Sequence, residues 1–296
     1  MKIIVCLKEV IDPELNLDFS PGNSVVFKTG LPLKLNPNDA AALATALDLK
    51  AVDSTVEITA ISIGGESVES YLRNALALGA DRVVRIWGDD LDSLSPYQKA
   101  KLLSKAVSLS GVDLVLTGAK SLDTGSGQVG SLLAGRLGWP CVTDVVAMEA
   151  EENSVTLLKD IGRGEREKLS CPLPAVVTVK GEGRLPYAPL DRYIDSQYSE
   201  IALLTPADLS ITPDELKKDP AGVTRLTYPR PSPVKAPPLD SSLPAFYRIL
   251  QLLEGGITKR KGQLLEGSSD EVAEKLYRLF LEEGVVKRAG QNKAGR

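Results

Sequence analysis

Residues 112–140, VDLVLTGAKSLDTGSGQVGSLLAGRLGWP, decide how this 296-residue chain is to be read. The opening run Val112, Asp113, Leu114, Val115, Leu116, Thr117 has the length and apolar content of a buried parallel strand. A polar turn with Gly125, Gly127 and Gly130 follows, and then an apolar helical pattern over 127–137. A strand, a glycine-rich turn and a helix start together suit a phosphate, because backbone N–H groups are unpaired there and the helix dipole is positive. Ser121, Thr124 and Ser126 add hydroxyl donors, and glycine lets backbone approach a ligand closely. An ordinary strand-to-helix connection would also use glycines in this way.

Outward from this stretch the same alternation repeats. Strands are predicted at 2–8, 55–63, 82–86 and 112–117, with a further short one possible at 25–28. Helices are predicted at 67–78, 96–109 and 127–137, and another opens at Asn36-Pro37-Asn38-Asp39, with Ala40, Leu43, Leu47 and Val52 at helical spacing. Asn36 or Asn38 suits an N-cap, Pro37 suits the helix entry, and Gly79 suits a C-terminal stop. The expected fold class is therefore α/β, a doubly wound and mostly parallel sheet covered on both faces. Ligands of such sheets sit beyond the carboxyl ends of the strands, so the turns after Cys6, Ile63 and Thr117 converge on one rim.

From Asp144 the pattern changes to short antiparallel strands at 145–148, 155–158 and 165–169, with a buried strand at 175–179 and a short helix at 191–199. Residues 205–244 are rich in proline and predict an extended arm or linker, including TYPRPSPVKAPP. Two amphipathic helices follow at 243–253 and 269–283. The expected organisation is a nucleotide-binding α/β domain over 1–200, the arm over 201–240 and a small helical extension over 241–296. That last segment holds ten Lys/Arg and seven Asp/Glu, about +3 against about −7 for the rest. Lys259-Arg260-Lys261 within it suits an anion, an acidic surface or plain solvation.

Composition narrows the chemistry. Net charge is −4 and aromatics are 5%, which argues against nucleic acid on both electrostatic and stacking grounds. The chain contains no histidine, so a Ser-His-Asp triad, an imidazole base and a histidine metal ligand are all excluded. Cys6, Cys141 and Cys171 match no metal spacing and no disulfide framework, which fits a reducing, cytoplasmic setting. The start MKIIVCLKEVIDPE reads as a first strand and not a signal peptide, and no apolar stretch approaches the ~20 residues that span a bilayer.

Five separated motifs in register give the chain a resemblance to the β subunit of electron-transfer flavoprotein. They are KIIVCLKEVID, LNPNDAAALATAL, NALALGADRVVRI, DLVLTGAKSLDTGSGQVGSLLAGRLGWP and PLPAVVTVKGEGRLPYAPL, within roughly residues 1–200. The resemblance implies the sheet architecture of the adenine-nucleotide α-hydrolase fold. It also implies pairing with an α subunit that carries FAD, and an adenine nucleotide here: AMP, or a second FAD in electron-bifurcating members. A dehydrogenase donor and a quinone-linked or other redox acceptor are implied as partners, with no catalytic residue in this chain. The implied nucleotide contacts fall on Cys6, through its backbone, on Asn36, Pro37, Asn38 and Asp39, and on Ile63. They continue through Asp123, Thr124, Gly125, Ser126, Gly127, Gln128, Val129, Gly130, Ser131, Leu132, Leu133 and Ala134. Asn36 and Asp39 serve equally as helix caps.

Three departures from the family pattern stand out. Bifurcating members read Asp-Gly-Asp-Thr-Ala-Gln-Val-Gly in the loop, whereas this chain has Gly125 at the second acid. Arg163 interrupts the DIGRG segment where glycines are usual. The loop that docks dehydrogenases in relatives contains Glu182, Arg184, Leu185 and Tyr187 here, with Glu182 near the usual leucine anchor and Leu185 its candidate substitute. Two other classes use related architecture: an ATP-using α-hydrolase-type enzyme and a nucleotide-sensing scaffold. The first expects Ser-Gly-Gly-x-Asp-Ser after strand one. The nearest match, Ser62-Ile63-Gly64-Gly65-Glu66-Ser67, follows strand two and lacks the aspartate.

Overall fold

The structure, a computed structural model, describes residues 1–12, 33–88, 91, 94–183, 185–217, 243–253 and 267–282. The strands are β1 (Lys2–Leu7), β2 (Glu9–Ile11), β3 (Leu33–Leu35), β4 (Glu57–Ile63), β5 (Arg82–Ile86), β6 (Leu114–Gly118), β7 (Cys141–Ala150), β8 (Ser154–Gly162), β9 (Glu165–Pro172), β10 (Ala175–Val179) and β11 (Ala202–Leu204). The helices are α1 (Pro37–Val52), α2 (Glu69–Leu78), α3 (Pro96–Ser110), α4 (Val129–Leu137), α5 (Leu190–Tyr198), α6 (Pro213–Lys217), α7 (Ala245–Leu253) and α8 (Ser269–Glu282). A short 3₁₀ turn, Glu66–Val68, precedes α2, so the helix starts two residues later than its apolar pattern suggests. The possible strand at 25–28, the TYPRPSPVKAPP arm and Lys259-Arg260-Lys261 lie outside the described residues.

Among the described residues, nine strands form one sheet in the order β11-β5-β4-β1-β6-β10-β7-β8-β9, and β2 and β3 pair antiparallel apart from it. Pairing is parallel from β11 through β7 and antiparallel from β7 to β9. Alternation along the central strands explains why both faces are covered. Ile3, Val5 and Leu7 of β1 join Leu114, Leu116 and Val177 in one core, against Leu43 and Ala46 of α1 and Leu72 of α2. Ile4, Val115 and Val176 point the other way, against Leu102 and Leu103 of α3 and Leu133 of α4. Every residue of β10 is buried, as a strand between two neighbours under helices must be.

Strand β7 reaches further than the sequence pattern indicates. Its first residues, Cys141 and Val142, pair in parallel with Val176 and Val177, and only then does it turn to the antiparallel hairpins. The change of register sits at Asp144, which has a left-handed φ of 58° and donates its N–H to Thr178 Oγ1 at 3.1 Å. The pattern break seen at Asp144 in the sequence is thus a bulge at which β7 passes from parallel pairing with β10 to antiparallel pairing with β8.

The segment after residue 200 begins as part of this body. β11 extends the sheet edge beside β5, and Leu209, Ile211 and Leu216 are buried in the core under α3. Gln98 Nε2 donates to Leu216 O at 2.7 Å, tying α6 to the α3 start. By Cα packing the chain divides into Met1–Tyr228 and Pro229–Arg296. Within the second unit α7 and α8 expose Phe246, Tyr247 and Ile249, and Leu276, Tyr277 and Phe280, respectively.

Candidate functional site

β1 has β4 on one side and β6 on the other, and the chain reaches β6 only after laying down β4 and β5. That reversal makes the β1/β6 crevice the topological switch point, where open α/β sheets bind ligands. A cavity of about 700 Å³ lies there. Its wall is formed by strand ends: Cys6 to Glu9 after β1, Ile63 to Gly65 after β4, Trp87 after β5, and the loop from Thr117 to Val129 after β6. The start of α3 closes one side through Pro96 and Lys99.

The Asn-Pro-Asn-Asp motif organises the loops around this cavity. Pro37 sits in the first turn of α1, as its fixed φ favours, and Asn36 occupies the N-cap position. Asn36 makes no side-chain cap bond. Its amide donates instead to Asp39 Oδ1 at 2.9 Å and to Lys120 O at 3.0 Å, and its Oδ1 accepts Leu122 N–H at 3.1 Å. Asn38 donates to the same Lys120 carbonyl at 2.9 Å and accepts Gly181 N–H at 3.0 Å. Two asparagines of one helix start therefore fix the β6 loop and the loop after β10.

Asp39 is the buried centre of this network. Its carboxylate accepts N–H groups from Lys8 at 2.8 Å, Gly118 at 3.0 Å and Asn36, joining the ends of β1 and β6. Burial pushes its pKa up to about 7, against the opposing pull of those donors and of the Lys8 charge. A Cβ on Gly118 would stand 2.1 Å from Asp39 Oδ1, so only glycine admits this approach. Cys6 lies on the same wall, and desolvation, helped by the Asp39 charge, raises its thiol far above the ordinary range. A protonated, unreactive thiol leaves Cys6 a backbone and packing role.

In the glycine loop, Gly125 N–H bonds Ser121 O at 2.9 Å, and the Ser121 and Thr124 hydroxyls lie 2.8 Å apart. Gly125 and Gly127 both adopt left-handed φ, at 61° and 60°. Lys8 Nζ donates to both Asp123 oxygens at 2.7 Å. Although burial opposes it, this contact with Ser121 and Thr124 holds the Asp123 carboxyl below its ordinary range. Thr117 Oγ1 is buried at the cavity wall with no hydrogen-bond partner in the protein.

Among the residues implied by sequence, Cys6, Asn36, Asp39, Ile63, Asp123, Thr124, Ser126, Gly127, Gln128 and Val129 share the cavity wall. Pro37, Asn38 and Gly125 are not among its lining residues. Gly130 packs α4 on the sheet, since a Cβ there would meet Thr178 Cγ2 at 2.5 Å and Thr117 Oγ1 at 2.8 Å. Ser131 hydrogen-bonds Cys141, Leu132 packs on the core, and Leu133 and Ala134 are buried in it. The wall also contains Lys8, Trp87, Leu91, Leu94, Lys99 and Leu103, which the sequence reading passed over. The carboxyl-end rule applied to β5 as well would have found Trp87.

In the loop after β10, for which the resemblance implies partner docking, Glu182 and Tyr187 are exposed, Leu185 is half-buried against the core, and Arg184 lies outside the described residues. Gly183 passes so close to α1 that a Cβ would stand 2.1 Å from Ala41 N. No helix among the described residues is long and apolar enough to cross a membrane.

The family model described as "Electron transfer flavoprotein domain" matches residues 24–191. The human and mouse proteins named "Electron transfer flavoprotein subunit beta" are 31% and 33% identical over 214 residues, covering 71% of this chain and 84% of each relative. The protein of the same name from Dictyostelium discoideum is 29% identical over 212 residues, with the same coverage. The chain belongs to the electron transfer flavoprotein β subunit family.

Proposed function

We propose that this chain is the β subunit of a heterodimeric electron-transfer flavoprotein, that it binds an adenine nucleotide in the switch-point cavity, and that its partner is an α subunit carrying FAD. Electrons would pass from a dehydrogenase to a quinone-linked or other redox acceptor through the α-subunit flavin. The observation that supports this most is the cavity wall itself. A buried, unpartnered Thr117 hydroxyl and the left-handed Gly127, beside the start of α4, match what a phosphate-bearing ligand requires.

The roles of this chain's residues in that reading are structural. Asn36, Asn38 and Asp39 hold the loop at its register, Ile63 and Trp87 give the ring end an apolar wall, and Thr117 with Ser126 and the N–H groups near Gln128 receive the phosphate. Bound AMP would act as a structural anchor, whereas bound FAD would supply a second redox centre. The exposed Glu182 and Tyr187 are the proposed contacts for a redox partner. With three free cysteines, a cytoplasmic location completes the reading.

A bifurcating member with FAD in this subunit is the second reading. It is favoured by the room in the cavity and by the Gln128-Val129-Gly130 end of the loop. Co-purification with the α subunit, followed by nucleotide release and quantification, separates the two. One FAD with one AMP per heterodimer supports the simple carrier, and two FAD support bifurcation. A heterodimer without any adenine nucleotide in the β subunit sinks both.

A further inference from the structure

We propose that Lys8 is the cation that selects the phosphate of the nucleotide, and that Asp123 competes with that phosphate for it. This rests on the nucleotide reading above. Among the described residues three carboxylates line the cavity, and each is differently engaged. Asp39 is enclosed by its three N–H donors, and Glu9 accepts the Ser67 hydroxyl at 2.7 Å. Asp123 is the one on the phosphate loop itself, where its charge opposes an incoming anion. The Lys8 ammonium, bidentate at 2.7 Å, cancels that charge.

The geometry gives Lys8 a fixed root and a free end. Its N–H is held by Asp39 and its carbonyl accepts Asn36 N–H at 2.9 Å, so the main chain cannot shift. Its ammonium and the Asp123 carboxylate are both partly exposed, with side-chain exposures of 30% and 26%. A pair so exposed contributes little to folding and costs little to exchange. A phosphate monoester offers more charge and more acceptor oxygens than one carboxylate, and lysine meets it as a mobile point charge. The ammonium therefore passes from Asp123 to the phosphate, and the glycine loop, released from Lys8, settles on the ligand.

The test is equilibrium dialysis of the full-length chain, freed of nucleotide, against AMP and against adenosine at low and high salt. The wild type is expected to prefer AMP, with an AMP affinity that falls as salt rises. Lys8→Met should weaken AMP about ten- to hundred-fold, the worth of one charge-assisted contact, while adenosine binding stays unchanged. Lys8→Arg should retain most of the AMP preference, and Asp123→Asn should tighten AMP by removing the competitor. Circular dichroism and thermal unfolding check that each variant is folded. AMP binding by Lys8→Met at the wild-type level, joint loss of AMP and adenosine in it, or weaker AMP binding by Asp123→Asn overturns the proposal. A wild type that binds AMP and adenosine equally overturns the Lys8 assignment alone, whereas one that binds neither overturns the nucleotide reading as well.

Discussion

Asp39 shows how one side chain can be both structural and electrostatic. Its carboxylate is the common acceptor for donors from the residue after β1, the N-cap of α1 and the end of β6. Asp39→Asn turns one acceptor oxygen into a donor facing buried N–H groups, and should cost about 2–3 kcal/mol in urea unfolding. The pH dependence has a definite sign. With a folded pKa of about 7 against an ordinary 3.8, the folded state holds an extra proton between those values. The stability this contributes is complete below about pH 4 and is lost as pH rises through 7. The wild type should therefore show a falling contribution over that window, and Asp39→Asn should flatten it. Arg163 is a smaller case. It adopts φ 56° between Gly162 and Gly164 in the β8–β9 turn, where a side chain is strained. Arg163→Gly should stabilise by about 0.5–1 kcal/mol, the left-handed penalty less the glycine entropy cost. At this scale the sequence was half legible. Asn36 and Asp39 stood out as caps or contacts, but besides each other they bind Lys120 and Gly118, 84 and 79 residues away, beyond any local pattern.

At the scale of elements, α4 depends on Gly130 for its seat on β6 and β10. Gly130→Ala forces a methyl against Thr117 and Thr178, pushing the helix outward. A loss of about 1–3 kcal/mol is expected, with a matching drop in affinity for the proposed nucleotide because the glycine loop leads into that helix. Thermal unfolding with and without AMP measures both effects, and a variant as stable as wild type would refute the packing argument. Most elements here were legible because long apolar repeats of period 3.6 or compact β-branched runs announce them. The 82–86 and 175–179 strands coincide with β5 and β10. β11 escaped because Ala202, Leu203 and Leu204 form too short a run to carry a period. The first residues of β7 escaped because what makes them strand is pairing with Val176 and Val177.

For the molecule as a whole, the boundary of the first unit carries its own prediction. Truncation after Tyr228 should leave a body that unfolds at nearly the full-chain temperature and keeps the switch-point cavity proposed for the nucleotide. Truncation after Glu200 removes β11 and the buried Leu209, Ile211 and Leu216. At about 1.5–3 kcal/mol per buried side chain, that loss approaches the whole stability of a typical domain. The shorter fragment should be recovered misfolded or insoluble, and calorimetry on both fragments distinguishes the cases. A proline-rich composition signals an extended chain, but it is silent on where the last core leucine falls.

The two ends of the sheet give the molecule a further property. One end is β11, only three residues long and followed at once by Thr205 and Pro206. The other is β9, which opens with Glu165, Arg166, Glu167 and Lys168, all exposed and of alternating sign. A stub and a picket of mixed charges are both poor templates for strand addition. The sheet thus resists fibrous stacking on other copies of itself, and encounters with other proteins are steered to its loops and side chains, where recognition is set by chemistry instead of by generic backbone stickiness.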